Sequence, residues 1–142
     1  MGTLTETNPD ARELVTEILE ETYWWNVLNL IVEFLRAKKV EQVRVEFGFV
    51  LDRYNAGKEQ PRTQVVKIAD LEPFIRLGLD EGTIEWRGSS DFLFYPVGVE
   101  LAFMLCNDAD LHFASSDSSL LAELGQTVQS TGIKVYDSGR LI

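Results

Sequence analysis

The chain has 142 residues, a net charge of −10 and a hydrophobic share of 45% that includes eight Phe, four Tyr and three Trp. That is enough apolar volume for one core in a single domain spanning 1–142, and it excludes a disordered chain. A lone cysteine excludes an intrachain disulfide, and with a single histidine any chemistry based on Cys or His must pass through Cys106 and His112.

The charge is uneven. Residues 1–35 carry seven acids against Arg12, residues 80–123 carry nine against Arg87, and residues 36–67 carry eight bases against four acids. Acidity over most of the surface repels phosphate backbones, so nucleic acid is not an expected partner. The longest apolar stretch, Tyr23 to Leu35, is interrupted by Asn26, Asn29 and Glu33, so no membrane span is expected. The opening residues have no basic segment followed by an apolar one, so a cytoplasmic protein is expected, with residues 1–8 flexible.

Residues from about Asp10 to Lys38 read as helix. Leu14, Ile18, Trp25, Leu28, Val32 and Leu35 recur at helical spacing, and Asn8-Pro9 is a start signal. This is either one long helix or a helix pair broken near Glu21-Thr22, because Glu20 and Glu21 suit the start of a helix rather than its end. Val43, Val45, Phe47, Phe49 and Leu51 then alternate with Arg44, Glu46 and Gly48. The pattern predicts a strand with one apolar and one mostly polar face. A loop over 53–62 and a second strand from Thr63 to Ile68 follow, then a short helix from Asp70 to about Leu79 that Glu81-Gly82 ends. Thr83 to Arg87 and Asp91 to Tyr95 suggest a hairpin about Gly88-Ser89-Ser90, and Val99 to Cys106 with Asp110 to Ala114 suggest another. The Ser- and Asp-rich run at 115–119 offers caps to a helix over 118–130, with Leu120, Leu121, Leu124 and Val128 inward. Ile133 to Tyr136 is a last strand, which makes 110–136 a parallel crossover.

The expected fold class is α+β. It has an N-terminal long helix or helix pair, a mainly antiparallel twisted sheet of about six or seven strands, and the helix near 118–130 packed on that sheet.

In the second hairpin, centring the turn on Asp108 aligns the apolar residues. Leu105 then faces Leu111 and Phe103 faces Phe113. The same register puts Met104 opposite His112 and Cys106 opposite Asp110 on the other face. Cys106 and His112 become diagonal neighbours. A thiol site would use Cys106 as nucleophile, His112 as base and Asp110 or Asp108 as orienter. A metal site would use Asp108, Asp110 and His112. The competing reading is structural: a buried thiol beside Met104, and an ordinary acidic turn.

The acidic helix offers Glu13, Glu17, Glu20 and Glu21, and on it Glu13–Glu17 and Glu17–Glu21 repel at i, i+4, which a free helix avoids and a partner surface tolerates. Tyr23, Trp24 and Trp25 cannot all point inward, so Tyr23 or Trp24 is the expected anchor for a partner. No glycine pattern matches a phosphate-cradling loop, and no cofactor is expected. In size and acidity, with no motif behind it, the chain resembles small immunity or adaptor proteins that bind a basic partner. The leading expectation is therefore a noncatalytic protein-binding module for a basic protein. An enzyme at Cys106, Asp110 and His112, and a small-ligand binder with an aromatic pocket from Trp24, Trp25, Trp86, Phe92 and Phe94, are the alternatives. The charge polarity also allows a salt-sensitive homodimer.

Overall fold

The computed structural model describes residues 11–49, 56–57, 62–84, 91–106, 108–137 and 140–141. The start signal at Asn8-Pro9 and the flexibility expected of 1–8 lie outside these residues. So do the end of the first predicted strand, most of the loop over 53–62, and residues 85–90 with Trp86 and the predicted turn.

The first strand, β1, is Arg12–Thr16, followed by helix α1 at Glu21–Ala37 and strands β2 at Gln42–Phe49 and β3 at Arg62–Lys67. A 3-10 turn at Ile68–Asp70 leads into α2 at Leu71–Glu81. Strands β4 (Asp91–Pro96), β5 (Ala102–Leu105) and β6 (Leu111–Ser115) precede α3 (Ser118–Gln129), and β7 (Val135–Asp137) and β8 (Arg140–Leu141) follow it. Seven strands pair in the order β3-β2-β4-β5-β6-β1-β7, and the two-residue β8 extends the β7 edge. All the pairings are antiparallel. This is an α+β single domain.

The expected helix over 10–38 is corrected at its start. Residues 12–16 are a strand, and α1 begins at Glu21. Tertiary pairing overrides the helical spacing of Leu14 and Ile18, because β1 bonds to β6 on one side and β7 on the other. Alternation is visible in the burial: Leu14 and Thr16 are buried while Glu13 and Val15 are partly exposed. A helix would also have stacked Glu13, Glu17 and Glu21 on one face, a repulsion the strand avoids.

The predicted crossover is present in modified form. β6 and β7 both run antiparallel to β1 and so parallel to each other, but β1 lies between them and they share no hydrogen bonds. Asp117 caps α3 by accepting the Leu120 amide at 3.1 Å, as the Ser- and Asp-rich run predicts.

Across one face, Val45, Phe94, Phe103, Phe113 and Leu14 stand in register on five strands. The three helices cover this face. Leu28, Ile31 and Leu35 of α1, Leu71 and Ile75 of α2, and Leu121, Leu124 and Val128 of α3 join the same core. The other face is expected to meet solvent, but its centre is buried. Glu46, Leu93, Met104, His112, Val15 and Tyr136 form its row. Leu93, Met104 and Cys106 are a second buried apolar cluster, with Glu46, Asp91 and His112 buried as well. Even Arg44 on that face is engaged, 2.6 Å from Glu46 and 4.2 Å over the Tyr95 ring.

Gly78 in α2 marks a close contact. A Cβ there would lie 2.5 Å from Cδ1 and 2.7 Å from Cγ1 of the buried Ile84. Alanine improves intrinsic helix propensity by about 1 kcal/mol, yet Gly78→Ala should destabilise the protein by about 1–3 kcal/mol through overpacking. Urea denaturation checks this, and pairing the change with Ile84→Val should recover part of the loss. Among the described residues no helix is long and apolar enough to cross a membrane.

Candidate functional site

Two places on the fold gather the residues singled out in the sequence. The first is on the face without helices. The β5–β6 hairpin has the expected register, with Ala102, Phe103, Met104 and Leu105 opposite Ala114, Phe113, His112 and Leu111. Beyond them the Cys106 amide donates to the Asp110 carbonyl at 3.1 Å, and the Ala109 amide closes the turn onto the Cys106 carbonyl at 3.0 Å. Ala109 takes the left-handed conformation at φ 65°, as the residue ending a three-residue hairpin loop does.

This turn brings Cys106, Asp110 and His112 together. One ligand atom from each lies within 4.8 Å of the other two. His112 is 7% exposed and Cys106 1%. Asp108, the other predicted candidate, is exposed at the turn. Its Oδ2 is 3.9 Å from the Cys106 sulfur, and it is not part of the group that could share an ion. The carboxylate that orients the ring is instead Glu13, which the helical spacing of Leu14 and Ile18 puts on a helix. Because β1 pairs with β6, Glu13 Oε2 lies 2.7 Å from His112 Nδ1. The strand-like Val15-Thr16 and the repulsive Glu13, Glu17, Glu21 spacing were the signals that could have placed it there.

Nε2 of His112 is 3.0 Å from Asp110 Oδ1. The two atoms attract as an ion pair but are not aligned for a hydrogen bond, and neither makes one among the described residues. Burial alone would push the His112 pKa down. The Asp110 carboxylate, the Cys106 sulfur and the Glu13 carboxylate around the ring outweigh that and raise it from 6.5 to about 11. The imidazole is therefore held as a cation at neutral pH. Burial pushes the Cys106 thiol up from 9.0, opposed by His112 and the Asp108 backbone and reinforced by the charges of Asp110 and Asp91. A protonated thiol beside an imidazolium is neither a ready nucleophile nor next to a free base. Labelling of Cys106 by a thiol reagent should accordingly be slow in the native protein and fast in urea. Rapid native labelling with an apparent pKa below that of free cysteine would reverse this assignment.

The second place is the β1–α1 linker. Of the acids expected on one helix, Glu13 is on β1, Glu17 is in the linker, Glu20 is the helix cap position and Glu21 opens the first turn of α1. A common helical face is thus corrected to a short extended segment. Glu17 is anchored, since its side chain accepts the Lys134 amide at 2.7 Å and its own amide donates to the Lys134 carbonyl at 3.0 Å. Trp24 is 2% exposed and packs edge-on against Trp25, so it is core rather than anchor. Tyr23 is 54% exposed and Ile18, across the linker, 62%. Both line an open groove of about 410 Å³ together with Glu17, Glu20 and Thr131 to Ile133.

The proposed aromatic pocket does not form among the described residues. Phe92 and Phe94 are buried in the main core, and Trp25 lies under Arg76, whose guanidinium is 3.9 Å from the ring centroid. Trp86 lies outside the described residues. Comparison with protein-family models, with curated proteins and with solved structures finds no match to this chain. The fold and the two sites define an acidic α+β domain with a buried ionic cluster on one sheet face and an acid-rimmed groove at the base of its first helix.

Proposed function

We propose that this chain is a noncatalytic protein-binding module of the cytoplasm that takes a basic protein partner at the β1–α1 linker. The observation that carries the reading is the pairing of two large exposed apolar side chains, Ile18 and Tyr23, with the Glu17 and Glu20 carboxylates around one groove. Apolar anchors ringed by charge are the usual anatomy of a specific interface. Glu21, exposed in the first turn of α1, adds to the same acidic field. The raised thiol and the cationic imidazole speak for a structural rather than catalytic role of Cys106 and His112.

Photocrosslinking from position 18 or 23 in an extract of the source cells identifies the partner. Its binding kinetics then decide the roles. Reversal of Glu20 and Glu21 to Lys should slow association and flatten its salt dependence, whereas Tyr23→Ala should mainly speed dissociation. An unchanged on-rate and salt slope in the double reversal would reduce the carboxylates to a solvated surface. Sizing at low and high salt separates this reading from self-association, since a homodimer held by the same acids dissociates as salt rises.

A further inference from the structure

We propose that Cys106 Sγ, an Asp110 carboxylate oxygen and His112 Nε2 form a binding site for a single divalent metal ion of the zinc type, with Glu13 as the group that orients the histidine ring. Thiolate, imidazole and carboxylate are together the donor set that borderline-soft Zn²⁺ prefers over harder ions. The three ligand atoms already lie within 4.8 Å of one another, and Nε2 and Oδ1 are 3.0 Å apart. Tetrahedral zinc with bonds of about 2.0–2.3 Å needs ligand atoms about 3.3–3.8 Å apart, so closure takes side-chain shifts of about 1 Å.

Two further observations point to a cation. Nε2 and Oδ1 are buried and face each other as an ion pair 3.0 Å apart without an aligned hydrogen bond, so the contact holds by charge and leaves directional bonding unused. An ion between them would use it. On the far side of the ring, Glu13 Oε2 at 2.7 Å receives Nδ1–H, which fixes the tautomer that leaves the Nε2 lone pair for metal. A carboxylate behind a metal-bound histidine is the usual means of aiming the ring and raising its basicity.

The charge of the cluster allows the exchange. Binding transfers the Nε2 and Sγ protons to solvent and brings in a doubly charged ion, so the net charge of the buried group is unchanged. Asp110 is only partly buried, so the cluster lies close to the surface at the hairpin turn.

The test uses the full chain stripped with a chelator and titrated with Zn²⁺ and with Co²⁺. One ion should bind per chain and raise the melting temperature, and Co²⁺ should give a thiolate charge-transfer band together with the visible bands of a tetrahedral site. Glu13→Gln should keep the band but weaken binding about 10–100-fold. Cys106→Ser should abolish the band, Asp110→Asn should weaken binding more than Glu13→Gln does, and Asp108→Asn should change neither. Should either ligand variant fail to fold, the wild-type spectrum and the Glu13→Gln titration decide. A wild-type chain that takes up no stoichiometric zinc, or that holds Co²⁺ without a thiolate band, overturns the assignment.

Discussion

Replacing His112 with Gln should cost about 3–5 kcal/mol and remove a pH dependence from the stability of the protein. The cost arises because the variant leaves the Glu13 and Asp110 carboxylates facing a site that no longer carries a positive charge. Removing one member of a buried ion pair is costly for the charge it leaves behind, more than for the pair it breaks. The double variant Glu13→Gln, His112→Gln should therefore recover part of the loss, and a double-mutant cycle by urea denaturation measures how much. Lost packing alone would give additive costs.

The pH profile follows from the raised pKa. Below 6.5 both the folded and the unfolded chain bind the His112 proton, and the full stabilisation is present. Above 6.5 only the folded chain keeps it, so stability falls with rising pH until the folded value of about 11 is passed. The Cys106 thiol, also raised, adds to the decline from 9.0 upward. The interval between 6.5 and 9.0 therefore reports on His112. With chelator present, wild type should lose stability steadily across it while His112→Gln stays nearly flat. A flat wild-type profile would mean that the imidazole is neutral in the fold.

Phe103→Ala should be equally damaging for a different reason. The ring is fully buried in the middle of the sheet, stacked on Phe94 with centroids 4.6 Å apart and planes 10° from parallel, and it also packs near Phe113. Truncation leaves a cavity that neighbouring rings on paired strands cannot collapse to fill, so about 3–5 kcal/mol is expected. For a domain whose total stability is about 5–15 kcal/mol, that approaches the threshold of folding. Calorimetry should show a large fall in melting temperature, and Phe103→Leu, which keeps most of the volume, should cost less than half as much. Equal losses for the two would place the ring's contribution in its stacking rather than in its volume.

Much of this was legible in the residues themselves. The β5–β6 register followed from aligning Leu105 with Leu111 and Phe103 with Phe113, because a one-residue slip would have put every ring on the wrong face. That alignment alone brought Cys106, Asp110 and His112 to one side. The helix at 71–81 was equally plain from its glycine stop, and that at 118–129 from its Ser- and Asp-rich cap. What failed was the segment before Glu21. Five residues are too few for a period-2 pattern to outweigh Leu14 and Ile18 at helical spacing, and β1 is a strand because of partners about a hundred positions away. Glu13 was lost with it, since a residue assigned to the wrong element cannot be brought to His112. The burial of the second face was also out of reach, because Arg44, Glu46 and His112 look like solvent-facing residues until their partners are known.

The position of β1 also sets the order of events during synthesis. Leu111–Ser115 and Val135–Asp137, the strands that flank it, leave the ribosome about a hundred residues after it. At about 5–20 residues per second the first strand waits roughly 5–20 s for its neighbours. During that wait Leu14 and Val15 are available to any passing strand edge. The domain cannot lock until those strands arrive, and β1 is among the last elements to be enclosed.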